Sequence, residues 1–197
     1  MTITIIQPSS SDFAMRLSQP DTNFNTATFN IGNFGSTDTY RTGINFNFSS
    51  LPSSINISNA TMSLYCGSPR GSNIRVLRVF ELKRTWVENQ ATWNIYSTGN
   101  SWQVAGATGA NDYNSSDVGN VSVDTSASGW VNIPLSVSTI QTIVNSSRTN
   151  YGWLLKFDTE SNDQMQFYSR GYTTNTTLCP KLSITYTSGV LPPMWFY

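Results

Sequence analysis

The stretch RTWVENQATWN, residues 84–94, brings Trp86, Glu88 and Trp93 together in one short segment. Two indoles around a carboxylate could stack a sugar ring and place an acid or a hydrogen-bond partner beside it. The same residues could instead plug a corner of a β-protein, with the indoles as core and Glu88 bonded to backbone amides of a crossover loop. Glycoside cleavage needs a second carboxyl about 5–10 Å from the first. None recurs near Glu88 in a similarly tight motif, and Asp112, Asp117 and Asp124 lie in or beside loop sequence. Histidine is absent. That removes the commonest general base and zinc ligand, and with them Ser-His-Asp, Cys-His and most zinc chemistry. The expectation is a protein that is not an enzyme and carries no cofactor.

Other residues offer binding rather than catalysis. Tyr96, Trp102 and Tyr113 fall in or near the loop after this segment and are the candidates for stacking a glycan. A loop tryptophan can also cap its own core. Arg75 and Arg78 flank two apolar residues of one strand, so they point to opposite faces and do not form a joint anion site. In KFDTESNDQ, Asp158, Glu160 and Asp163 are weak calcium candidates, because hard carboxylate oxygens suit that ion. Their spacing is not that of an EF-hand loop, and a solvated hairpin turn reads better. No other metal site is expected. The chain ends in VLPPMWFY, where Met194, Trp195, Phe196 and Tyr197 are candidate assembly anchors.

These residues must be positioned by strands. Apolar and polar residues alternate in INFNFSSL, with Ile44, Phe46 and Phe48 on one face, and again in ATMSLYC, with Met62, Leu64 and Cys66. NIRVLRVFEL, WVNIPL, YGWLLKF, MQFYS and KLSITYT add further short strands, separated by turn sequences such as GSPRGSN and TTNTT. GANDYNSSDVGN, residues 109–120, reads as a surface loop. In SVSTIQTIVNSS, Ile140, Ile143 and Val144 follow helical spacing behind a Ser138 cap, predicting one short helix across an open end. The fold class is therefore all-β: an antiparallel β-sandwich of jelly-roll type with one short helix. At 197 residues the chain suits a single domain over 1–187, followed by an aromatic Pro-Pro tail over 188–197 that reads as a docking peptide.

Composition limits the partners. Only 11% of residues are charged, against about 25% in an average domain, and formal net charge is zero. No basic stripe suggests nucleic acid and no apolar run is long enough to span a bilayer. MTITIIQPSSSDF lacks the charged and apolar regions of an export signal, so synthesis in a cytoplasm is expected, with Cys66 and Cys179 as free buried thiols. A surface-like composition without an export signal fits a virion protein, which leaves its host by lysis. A trimmed signal would fit equally.

Several pieces together resemble one family. YRTGINFNFSSLPSSINISNATMSLY, RTWVENQATWN, NYGWLLKF, FYSRGY and PKLSITY, in this order over roughly residues 12–187, are similar to motifs of the DNRLRE domain family. The resemblance implies a β-sandwich module of surface, polysaccharide-binding and phage structural proteins. It also implies that Trp86, Glu88 and Trp93 are structural core, a staple instead of an active site. Antiparallel pairing of Ala60–Cys66 with Pro180–Thr187, implied in the same way, would bring Cys66 within disulfide reach of Cys179. The functional expectation is a non-enzymatic structural protein of a virus particle surface: a capsid decoration, head-fibre or tail-fibre subunit of a bacteriophage-like virion, in contact with host-surface glycans. Its partners would be other virion proteins, as a homo-oligomer or docked on a capsid or fibre subunit, with no nucleic acid and no membrane. The alternative is a carbohydrate-binding module of a secreted or cell-surface protein.

Overall fold

Alternation decides which residues turn inward. In β5 (Ile55–Arg70) Met62, Leu64 and Cys66 are fully buried, and in β11 (Trp153–Phe157) so are Trp153, Leu155 and Phe157. The structure is a computed structural model that describes residues 1–35, 37–52 and 54–188. Its other strands are β1 (Thr2–Ile6), β2 (Ser11–Arg16), β3 (Thr28–Phe34), β4 (Asp38–Asn45), β6 (Ile74–Leu82), β7 (Ile95–Ser97), β8 (Asn100–Ser101), β9 (Tyr113–Asp124), β10 (Gly129–Pro134), β12 (Gln164–Tyr168) and β13 (Lys181–Ser188). One α-helix, α1 (Val137–Val144), stands among them in the described residues.

The chain is thus all-β and antiparallel with one short helix. Where a jelly-roll sandwich is expected from sequence, the hydrogen bonds run through one curled sheet. Its order is β1-β13-β5-β12-β3-β4-β11-β6-β9, with β10 added to β5 and β2 to β4; β7 and β8 form a separate small hairpin. The curl comes from β4, which pairs first with β3 (Tyr40 opposite Gly32) and then with β11 (Ile44 opposite Trp153). Inward residues of β2 to β6 and β9 to β13, with Ile140 and Ile143 of α1, meet in one core. Burying each large side chain contributes roughly 1.5–3 kcal/mol.

Two local expectations change. The helix cap is Ser136, not Ser138. The Ser136 N–H donates to Val118 O at 2.6 Å, which holds that residue outside the helix and leaves its Oγ to accept from Thr139 N at 3.3 Å. Gln141 then clamps the helix to β5, accepting from Ile57 N at 2.8 Å and donating to Ile55 O at 2.9 Å. Residues 113–120, expected as loop, belong to β9. The free edge of β6 supplies hydrogen-bond partners from Ile74 to Leu82, and this pairing overrides the turn-rich local sequence.

β13 pairs antiparallel with β5, Lys181 opposite Ser63 and Leu182 opposite Met62. Cys66 and Cys179 are both free and buried. The Cys179 thiol donates to Tyr172 O at 3.4 Å, and burial raises the pKa of both thiols.

Candidate functional site

The segment 84–94 folds over the outward face of β2, β4, β11 and β6. Trp93, Trp102 and Ala91 are buried there with Phe13, Met15, Phe80, Leu82 and Leu154, and Trp86, Tyr96 and Tyr113 pack against them. Trp86 Nε1 donates to Tyr151 O at 2.7 Å, and its ring lies 4.7 Å from that of Phe13. The Arg41 guanidinium covers the Trp93 ring at 4.9 Å. Glu88 ties three segments together: Oε1 accepts from Asp12 N at 3.0 Å, Oε2 accepts from Arg170 Nη1 at 2.8 Å, and its carbonyl accepts from Asn23 Nδ2 at 2.9 Å. Each of its carboxylate oxygens already has a partner. Asp112, fully buried, organises the rest of the excursion by accepting from Gln103 N, Val104 N and Gly109 N.

Of the glycan candidates of this loop, Trp102 offers no face to solvent, and Tyr96 and Tyr113 are half-buried. Trp102 is 4% exposed and donates through Nε1 to Thr92 O at 3.0 Å, because its indole completes the cluster that the excursion must bury. Tyr96 packs on Trp102, under Arg84. Tyr113 meets Phe80 edge-on at 5.3 Å. The calcium candidates also separate. Asp163 is fully buried against Arg75, Glu160 holds Arg41 through both oxygens, and Asp158 accepts from Val76 N. Arginines and amides, instead of a shared ion, satisfy these three carboxylates. Arg78 pairs with Asp117 at 2.6 Å, on the opposite face from Arg75. Met194, Trp195, Phe196 and Tyr197 lie outside the described residues.

A different set of aromatics forms a strip on the open outer face of β5, β10, β12 and β13. In β5, Tyr65 and Gly67 alternate with the inward Leu64 and Cys66. Trp130 of β10 is the register partner of Tyr65, and the rings meet edge-on at 5.4 Å. Tyr168 of β12 lies 5.8 Å from Tyr65, nearly parallel to it. Tyr172, from the following loop, stacks on Tyr168 at 3.8 Å and 10°. Hydrogen bonding to Tyr172 raises the Tyr168 pKa above its ordinary range. At the other end the Lys181 ammonium stands over Trp130, 3.9 Å from the ring centre. Beside it, Ser63 Oγ donates to Asn132 Oδ1 at 2.7 Å.

Gly67 makes room for this strip. A Cβ there would meet Tyr168 Cζ at 2.8 Å and its hydroxyl at 2.9 Å. Gly67→Ala is expected to lift the Tyr168 ring and disturb its stacking. Only the far end of a flexible side chain has to move, so stability should stay within about 1 kcal/mol. Near-ultraviolet circular dichroism against the thermal unfolding midpoint checks this: the tyrosine signal should fall while the midpoint holds. The strip is hard to read in the sequence because Tyr65, Trp130, Tyr168 and Lys181 sit in four separate strands among apolar neighbours and Tyr172 sits in a loop. Their signal was available: Tyr65, Trp130 and Tyr168 are large aromatics on the outward parity of three strands.

These features define an all-β antiparallel domain, stapled over one outer surface and presenting an aromatic strip on another. The chain belongs to the disaggregatase related repeat domain family, which it matches over residues 12–184, from β2 into β13. No curated protein matches it. The family match corrects the DNRLRE resemblance. RTWVENQATWN is the staple, NYGWLLKF supplies Gly152 at φ +78° before a buried strand, and PKLSITY is a closing strand. Each of these is set by the architecture, so such motifs report how the sheet is built more than which family it belongs to.

Proposed function

We propose that the domain is a non-enzymatic binding module that holds a polysaccharide on the outer face of β5, β10, β12 and β13. The observation that carries this reading is the strip of Trp130, Tyr65, Tyr168 and Tyr172 with Lys181 at its end. Aromatic rings give the C–H face of a sugar an apolar surface, and their polar groups and the nearby exposed Asn132 suit its hydroxyls. Rings already packed on one another lose little freedom on binding, which favours affinity. The family description, a repeat domain, fits a module better than a catalytic centre. Trp130→Ala and Tyr168→Ala are each expected to weaken binding roughly tenfold, about 1.4 kcal/mol. Affinity electrophoresis through gels containing soluble polysaccharides measures this; wild-type mobility unaffected by every polymer tested would sink the reading.

A second reading is a structural subunit at the surface of a virus particle. It is favoured by β1, a strand at the edge of the sheet with Ile3 and Ile5 66% and 58% exposed. An apolar edge with no strand beyond it among the described residues suits pairing with another subunit. The two readings meet in a particle that contacts host glycans, and an extracellular or cell-surface setting suits the first alone.

A further inference from the structure

Seven of the chain's eight arginines form a one-to-one pair with a carboxylate: Arg16 with Asp38, Arg41 with Glu160, Arg75 with Asp163, Arg78 with Asp117, Arg84 with Asp112, Arg148 with Glu81 and Arg170 with Glu88. Arg70 is the eighth. Its guanidinium has no carboxylate partner among the described residues. In a domain of zero net charge that neutralises its other guanidinium groups, an unpaired one marks a position available to an external anion.

Arg70 lines a cavity of about 370 Å³ together with Arg16, Asn30, Gln164, Phe24 and Phe34. The ladder joins this cavity to the aromatic strip. Tyr168 is opposite Thr28 and Gln166 opposite Asn30 across β12 and β3; Gln164 is opposite Arg70 across β12 and β5. Directly opposed residues share a face. The cavity therefore opens on the face that carries Tyr168, with Thr28 on its wall. Asn30 adds a second, independent observation: its Oδ1 is buried and has no hydrogen-bond partner among the described residues. An orphaned buried acceptor is costly, and a ligand hydroxyl reaching it would remove the cost. Asp38, bonded to the lining residues Arg16 and Tyr40 and to Ser18 N, has its charge matched by the Arg16 guanidinium.

We propose that this cavity is an anion subsite in which Arg70 binds the carboxylate or sulfate of an acidic sugar residue while Asn30 Oδ1 accepts from a neighbouring sugar hydroxyl. The proposal rests on the polysaccharide reading of the strip and names its substrate class: an acidic glycan whose chain runs from the Lys181 end over Tyr65 and Tyr168 into the cavity. Phe24 and Phe34 supply apolar walls for the ring. A bidentate guanidinium contact is specific for planar or tetrahedral oxyanions, which a lysine in the same place would meet only as a point charge.

The test compares the full chain with Arg70→Gln, Asn30→Ala and, as a charge-matched control, Lys83→Gln in gels containing dextran, dextran sulfate or polygalacturonate. Expected is tighter binding to one of the two acidic polymers than to dextran, a loss of roughly tenfold or more for Arg70→Gln and Asn30→Ala, and no change for Lys83→Gln. Which acidic polymer is preferred identifies the anion as sulfate or carboxylate. Arg70 is exposed, so its replacement does not threaten folding. Equal losses in Arg70→Gln and Lys83→Gln, or none in either, would overturn the subsite as unspecific charge attraction. Binding to dextran that is as tight as to both acidic polymers would overturn the subsite and leave the strip standing. Binding to none of the three would overturn both.

Discussion

Asp163→Ala is expected to destabilise the fold by about 3–5 kcal/mol, the cost of breaking a buried ion pair from one side. That is a large part of the roughly 5–15 kcal/mol that holds a typical domain together. Asp163 is fully buried between β12 and the turn that joins β5 to β6. Burial pushes its pKa up, but bonds from Ser72 N, Asn73, Arg75 and Thr125 outweigh that and hold it below the ordinary carboxylate range. The contacts are short: Ser72 N at 3.0 Å, Asn73 Nδ2 at 3.0 Å, Arg75 Nε at 2.6 Å and Thr125 Oγ1 at 3.0 Å. Removing the carboxylate strands these donors and leaves Arg75 without its counter-charge. Urea unfolding of the two proteins measures the difference. A loss below about 1 kcal/mol would show that water replaces the carboxylate easily and that the turn does not depend on it. Arg75→Ala should cost less, because Asp163 keeps its other donors.

The sequence made this hub hard to see. KFDTESNDQ suggests an oxygen-rich loop, and Asp158, Glu160 and Asp163 are close in sequence. Nothing in that string says that Arg41 and Arg75, from distant strands, divide the carboxylates between them. Strand alternation carries more information, because the period of two depends on local residues alone. It gave Met62, Leu64, Cys66 and the all-β class directly. What it could not give is the neighbour of each strand. The curled path through β4 and the pairing of β9 with β6 depend on contacts far apart in the chain.

The same limit hid the candidate site. Tyr65, Trp130, Tyr168 and Lys181 come from β5, β10, β12 and β13, and become neighbours only through sheet register. The loop aromatics Tyr96, Trp102 and Tyr113 read as stacking candidates because they cluster in sequence. They cluster because one excursion of chain has to cover an apolar sheet face, and their rings do that covering. Arg70 stands inside the turn-like string GSPRGSN, where nothing local sets it apart. Its distinction is that it has no carboxylate partner among the described residues, which depends on the partners of every other arginine.

The staple should also make stability depend on pH in a way that one substitution isolates. Asp12 lies under Glu88, its Oδ2 accepting from Arg170 N at 2.8 Å and Ser9 Oγ at 3.1 Å. Burial raises its pKa from 3.8 to about 6; the bonds from Arg170 N and Ser9 and the Arg170 charge oppose this, and the Glu88 charge adds to it. The folded state therefore holds this proton more tightly than the unfolded chain does. Between about pH 4 and pH 6 the unfolded chain releases it first, so the contribution of Asp12 to stability is fully present below pH 4 and is lost as pH rises through 6. At about 1.4 kcal/mol per tenfold difference in proton affinity, the full loss is up to about 3 kcal/mol. Asp12→Asn keeps an oxygen to accept from Arg170 N and cannot ionise. Its stability relative to wild type should rise by about 2–3 kcal/mol from pH 4 to pH 7. Asp38 and Asp163, whose pKa values are lowered, act with the opposite sign at more acid pH. They are present in both proteins and cancel in the difference. Urea unfolding of the pair at half-unit steps of pH provides the measurement. Parallel curves across this range would mean that Asp12 ionises as easily folded as unfolded, and that water reaches the carboxylate beneath the staple.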